Sequence, residues 1–585
     1  MSKDTSLIDS FPFSSYLDSN YIPSDEEVVQ IKTFLIQPRE QLKQMKTEIA
    51  HLHAKLSSVK SKYDNLCHQF NTCASLITLP RRVPDDVLEE IFYQSLPADR
   101  NAPLDNKAAP LIFTRICRQW RQVAFASPRL WSTIHIRVLP KFHKWIIPST
   151  DILSQERLPE KQDLLRATAA SEWLKRSGDL PLHISFVTTG VVDQSSNYPV
   201  VDPYLSFVVP FSSRWKSLVL EGRAASFSRF FTLKAANLKS LEFLILDLDP
   251  TDHWDNPLLP QGFATTWSSC GLLTSPSLRK LSIPRFIMMH PTDLSVDWAQ
   301  LTHLEFGRIP GGWGDSTTSM STTSEILHVS ASLVSCRIKI AEWPNSGYIH
   351  SMKLPLLRHL SIEIEGYVLP FTEKLEVPGL REINLKFIES NVTGNDNVTG
   401  NNVNYRNCLP LFQPQQGTIQ KLIVNMRYLD HESFLGILRK CPELISLTVS
   451  DSQPYSLPRE ILHITIDDQF LERISSNHGE VLCSELEEFI CEYPAAFTTT
   501  GIIEFIKRKQ DGNIPKLAKL KKVAIQPYNI EREVLVRELE PYISQGLTYD
   551  LGSDDIPGSD TPTYHPDESV VYGDSVARYA NSWGL

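Results

Sequence analysis

The chain has no run of about 18 apolar residues, the length that a membrane-spanning helix needs, so no such helix is expected among its 585 residues. It also lacks an excess of positive charge: 58 Lys and Arg face 68 Asp and Glu, a formal net charge of −10. Wrapping a nucleic-acid duplex takes a basic field, so neither a membrane nor a nucleic acid is an expected partner. The nine cysteines (67, 73, 117, 270, 336, 408, 441, 483 and 491) form no CxxC pair. An odd, scattered set fits reduced thiols in the cytoplasm or nucleus. The start, MSKDTSLIDSFPFSS, has no cationic stretch followed by an apolar one, so no signal peptide is expected. The Asn-Val-Thr triplets at Asn391 and Asn397 then read as a polar loop and not as glycosylation sites. GxxxxGK[ST], HExxH and GxSxG are missing, as is GxGxxG in a strand–helix setting. The run GGWGDS at 311–316 shares only its glycine content with a phosphate loop. No catalytic residue, no cofactor and no metal site is expected, and the chain reads as a non-enzyme.

What is present is an ordinary globular balance, 42% apolar and 22% charged, in a chain too long for one compact core. Residues 1–24 are rich in Ser and Asp and are expected to be disordered. A helix is expected over 25–76. Within it Leu42, Met45, Ile49, Leu52, Leu56, Val59, Tyr63, Leu66 and Phe70 follow one another in steps of 3 and 4, a heptad seam. So narrow a stripe buries little unless it meets another helix. A homodimer through residues 42–70, pairing with a similar helix, or folding back on the same chain are the open readings. Cys67, His68 and Cys73 fall on different faces of this helix and are not expected to bind zinc.

Next, Pro84, Asp85 and Asp86 form a helix start, and Leu88, Ile91, Phe92 and Leu96 follow at helical spacing before Pro97. A polar loop runs over 98–109, and a second helix is expected from Pro110 to Ser127. Ile112, Phe113, Ile116, Trp120, Val123 and Ala124 share its apolar side, and Arg115, Arg118 and Arg121 its solvated side. Leu130 and Trp131 pack afterwards. The pattern Val83-Pro84-Asp85-Asp86-Val87-Leu88-Glu89-Glu90-Ile91-Phe92, then Ile116-Cys117-Arg118-Gln119-Trp120-Arg121, then Pro128-Arg129-Leu130-Trp131 resembles an F-box, covering residues 77–136. Val83, Asp86 and Ile116 stand where that family usually has Leu, Glu and Val, and the 98–109 loop is longer. With the preceding coiled coil, the arrangement is similar to the F-box expansions of mushroom-forming fungi.

A linking region with a helix (Leu164, Leu165, Trp173, Leu174, ended by Gly178) fills 137–179. Beyond it, one template recurs: apolar-x-x-apolar-x-apolar. It begins at Trp215, Leu241, Leu278, Leu301, Leu333, Leu357, Leu380, Ile419, Leu444, Leu486 and Leu520. The shorter intervals are 23–26 residues, inside the leucine-rich-repeat range. Each unit offers a short strand whose inward residues only a stacked neighbour can cover. Polar inserts are expected at about 250–265, 311–324 and 391–404. The region 180–540 thus resembles an irregular leucine-rich-repeat solenoid without the usual inward Asn; the other reading is an ordinary α/β domain with leucine-rich strands. Residues 541–585 are expected to be a disordered acidic tail.

The expected fold class is α/β: a helical coiled-coil segment and a three-helix F-box followed by the solenoid. The resemblance implies a substrate-recognition subunit of a Skp-adaptor/cullin ubiquitin ligase. It places adaptor binding on Pro84, Leu88, Ile91, Phe92, Leu96 and Pro97, and the F-box core on Ile116, Trp120, Leu130 and Trp131. The repeat region would hold a target protein, with Trp254 and Trp313 beside the inserts as candidate anchors. The alternative is a non-catalytic scaffold without ubiquitin-ligase coupling.

Overall fold

A computed structural model describes residues 8, 10–17, 19–74, 83–138, 158–188, 202–227, 229–249, 270–284, 294–307, 318–341, 347–388, 405–413, 418–425, 429, 431–450, 466–475, 482–512, 517–527 and 531–550. The chain divides into two compact units, Met1–Leu88 and Glu89–Leu585. It is an α/β protein with a long N-terminal helix and an all-parallel sheet. No helix among the described residues is long and apolar enough to cross a membrane.

Helix α1 runs from Asp25 to Ala74 and passes through Pro38. Its start is a capping box: the Ser24 N–H donates to Glu27 Oε2 (2.7 Å) and the Glu27 N–H to Ser24 Oγ (3.4 Å), which satisfies donors that a helix end otherwise leaves bare. Tyr21 Oη also donates to Glu27 (2.8 Å), and Phe11 tilts onto Phe34 with ring centroids 5.3 Å apart. Part of the segment expected to be disordered is therefore a short wrap on the first turns of α1. No residue of α1 is buried.

In the second unit, strands β1 (Thr133–Val138), β2 (Leu182–Thr188), β3 (Trp215–Arg223), β4 (Phe243–Asp249), β5 (Lys280–Ile283), β6 (His303–Phe306), β7 (Thr318–Ser319), β8 (Ser335–Ala341), β9 (Met352–Lys353), β10 (His359–Glu365), β11 (Leu375–Glu376), β12 (Glu382–Ile388), β13 (Lys421–Asn425), β14 (Ser446–Ser450), β15 (Glu488–Ala495), β16 (Lys522–Pro527) and β17 (Thr548–Asp550) follow in chain order. Fourteen of them form one parallel row in that same order. The two-residue β7 lies off the row on β8, and β9 pairs with β11. The second apolar position of the template is in register from end to end: Leu218, Leu244, Leu281, Leu304, Cys336, Leu360, Ile383, Leu422, Leu447, Phe489 and Val523 each face the next. All are buried. One apolar residue per strand covers the same residue of its neighbour, so no strand can bury its own face alone.

The row is longer than the template shows. Ile134 and Ile184 extend it before Leu218, so the sheet begins within the segments assigned to the F-box and the linking region. At the far end, residues 541–550, expected to open the tail, hold the close of the helix Arg532–Ile543 and strand β17. Tyr549 stands beside Val523 there, and Leu547 is buried. Residues 551–585 lie outside the described residues, as do the inserts 250–265 and 391–404. Of the third insert, 311–317 also lie outside the described residues, and 318–324, expected to be loop, hold β7 and open the helix Met320–Val329. Ser319 caps that helix, accepting from the Thr322 N–H at 3.1 Å. Met320, Ile326 and Leu327 are buried beneath it.

Candidate functional site

The helical module preceding the sheet consists of α2 (Asp85–Gln94), α3 (Phe113–Ile116), α4 (Arg118–Ala126) and the 3₁₀ turn Pro128–Trp131. One helix was expected from Pro110 to Ser127. Instead the chain breaks at Cys117, which is extended (φ −152°, ψ 175°), and its Sγ accepts from the Trp120 N–H. The break changes the helical phase. Ile116, expected in the core, is 54% exposed, and Ile112 also faces out. Arg121 spans the break, its Nε donating to the Thr114 carbonyl at 2.6 Å.

The core of the module is aromatic. Phe92, fully buried, stacks on Phe113 with centroids 4.3 Å apart and planes 9° from parallel. It also tilts onto Trp120 at 4.9 Å. Leu130 and Trp131 are fully buried, as expected for the closing turn. Trp131 Nε1 donates to the Ala124 carbonyl (2.7 Å), which pays the hydrogen-bond debt of a buried indole.

Of the residues the resemblance assigns to the adaptor, Leu88 and Phe92 are buried, at 1% and 0% exposure. Pro84 and Ile91 are exposed, and Leu96 and Pro97 are half-buried. Val87 shares the exposed side of α2 with Ile91, and Tyr93, on another side of the helix, is exposed as well. Arg129 lies over the Tyr93 ring at 3.8 Å and reaches Glu90 at 3.4 Å. Trp254 and Trp313 lie outside the described residues.

The module is joined firmly to the sheet. Trp131 meets Trp173 of the helix Leu158–Arg176 edge to face at 5.1 Å, and Trp173 Nε1 donates to the Thr133 carbonyl of β1 (3.1 Å). Arg176 sits over both Phe125 and Trp131. In the 98–109 loop, Pro103 bridges His135 of β1, and the His135 N–H donates to the Ala102 carbonyl (2.8 Å). The loop thereby covers the first edge of the sheet, which otherwise invites a foreign strand.

Template positions between the apolar ones, and the position just after the last of them, carry a second feature, a cross-strand polar ladder. Ser282 Oγ donates to Glu305 (2.9 Å), which also pairs with Arg337 (3.2 Å). Lys386 meets Glu363 (3.1 Å), and Glu382 accepts from His359 (3.0 Å) and Lys421 (2.8 Å). The hydrogen bond from His359, with that from Lys421, holds the Glu382 carboxyl at about 2 against the opposing effect of burial. Burial, with Lys280 nearby, lowers His303 to about 4, and burial beside Arg100 and Arg137 does the same for His135. Alternation of polar and apolar letters was legible in the sequence; the pairing of one strand's glutamate with the next strand's base was not.

Among the described residues no three His, Cys, Asp or Glu side chains converge as metal ligands would. None of their cysteines is joined in a disulfide. No protein-family model matches the chain, and no curated protein matches it either.

Proposed function

We propose that this chain is the substrate-recognition subunit of a Skp-adaptor/cullin ubiquitin ligase, with residues 83–131 as its F-box and the parallel sheet as an irregular leucine-rich-repeat solenoid that holds a target protein. The supporting observation is the joint between the two parts. An aromatic module with the F-box order of motifs ends in Leu130–Trp131, and Trp131 is locked through Trp173 to the first strand of the sheet. Such a subunit works by proximity: it fixes a target lysine near a charged conjugating enzyme and raises its local concentration. A stiff joint serves that end and a slack one does not. No catalytic group is required of this chain.

For the solenoid reading, the support is the template's apolar ladder, in register across eleven successive strands, with helices interspersed. On this reading the adaptor meets Pro84, Ile91, Leu96 and Pro97, while Leu88 and Phe92 maintain the module from inside. The test is co-purification with a Skp-type adaptor. Ile91→Glu should abolish recovery of the adaptor while the protein keeps its circular dichroism and elution volume. Undiminished recovery would refute the assignment of this face, and failure of the wild-type chain to bind any Skp-type adaptor would refute the function.

A further inference from the structure

The seam of α1 is bare along its whole length. Leu42, Met45, Ile49, Leu52, Leu56, Val59, Tyr63, Leu66 and Phe70 are each between 55% and 68% exposed. Over 29 residues this is a stripe about 43 Å long at 1.5 Å per residue. A monomer in water does not leave so long an apolar line uncovered without a partner for it.

The residues that flank the seam say what kind of partner. With Leu42 at position a of the heptad, positions e and g over 42–70 are Lys46, Glu48, His53, Lys55, Lys60, Lys62, Cys67 and Gln69. Four lysines face one glutamate. These are the positions that set partner choice in a coiled coil. In a parallel pair of identical chains, g of one helix meets e of the next heptad in the other. That brings Lys55 against Lys60 twice, with Glu48 against His53 as the weak compensation. An antiparallel pair sets e against e and g against g. In the register that sets Leu42 beside Leu66, Lys46 then meets Lys60 and Lys55 meets Lys55, against Glu48 with Lys62. Either way a second copy of this chain is opposed by like charge.

We propose that residues 42–70 form a heteromeric coiled coil with a helix of another protein that carries the same 3,4 apolar spacing and Glu or Asp at its e and g positions. A stripe as narrow as one seam fits a helix better than a lipid surface, which takes up a broad apolar face. The homodimer is disfavoured by the charges that make an acidic helix a good fit.

The test uses the full chain and two fluorescent four-heptad peptides, with Leu at a and d and either Glu or Lys at every e and g. The Glu peptide should bind one to one, at least tenfold more tightly than the Lys peptide. Raising salt from about 0.05 to 0.5 M should weaken it severalfold, because exposed charges are screened over a few ångström at high salt. The triple variant Lys55→Glu, Lys60→Glu, Lys62→Glu should reverse the preference. Leu56→Asp should abolish binding of both peptides; persistence of Glu-peptide binding in that variant would mean unspecific attraction and overturn the proposal. Equal affinity for the two peptides, no binding of either, a wild-type homodimer that the Glu peptide does not displace, or binding to phosphatidylserine vesicles that excludes the peptide would each overturn it as well.

Discussion

Replacing Phe92 with alanine is expected to melt the helical module while the sheet stays folded. The ring is fully buried, face to face with Phe113 at 4.3 Å and against Trp120 at 4.9 Å. Truncating a buried phenylalanine costs about 3–5 kcal/mol, including the cavity left behind. Loss of the two ring contacts falls at the upper end, since each aromatic pair adds about 0.5–1.5 kcal/mol beyond area. A module of some 50 residues buries little core of its own, and small domains are marginal, so a loss of this size exceeds what it can spare. The assay is hydrogen exchange of the peptides spanning 85–94 and 118–126 in the full chain. At about 1.4 kcal/mol per decade, their exchange should accelerate by roughly three to four powers of ten, while peptides from β10 and β12 stay protected. Unaltered protection of 118–126 in Phe92→Ala would refute the aromatic core. Ile91→Ala, made at an exposed position one residue away, should change exchange in neither segment.

Arg121→Ala should cost about 0.5–1.5 kcal/mol through loss of the bond to the Thr114 carbonyl, more than a solvated arginine would; faster exchange confined to 113–118 is the readout. The pH dependence of stability follows from His135 and His303, both held at about 4 when folded against about 6.5 when unfolded. Between those values the unfolded chain binds more protons. Stability contributed by the two neutral imidazoles is therefore complete above about pH 6.5 and lost as pH falls toward 4, and urea midpoints at pH 7.5, 6 and 5 should decline in that order. Glu382, at about 2, adds stability above its unfolded pKa near 4.5 that is lost only in stronger acid. A chain ended after Glu540 should unfold at a lower temperature than one ended after Asp550, because the shorter one lacks β17 and the buried Leu547 beside β16.

The sequence by itself determined the elements whose information is local and periodic. Steps of 3 and 4 from Leu42 to Phe70 lie on one continuous helix, and the recurring apolar-x-x-apolar-x-apolar letters mark strands wherever they begin between Trp215 and Leu520. Such spacing is imposed by backbone geometry, which needs no knowledge of the rest of the chain. The tertiary structure decided the rest. Ile116 leaves the core because Cys117 abandons helical geometry to cap the next helix, a one-residue choice that shifts the phase of everything before it. Residues 318–324 read as a polar loop by composition, yet Thr322, Thr323 and Ser324 are buried in a capped helix. Strand β1 carries the full template in Trp131, Ile134 and Ile136, hidden because it starts inside the closing turn of the helical module, whereas β2 and β17 have Pro181 and Gly546 at its first position and extend the row by pairing with a neighbour already in place. Leu88 and Phe92 look, as letters, like any apolar pair ready for a partner. Only the positions of Phe113 and Trp120, more than twenty residues away along the chain, turn Phe92 inward and leave Ile91 to the solvent.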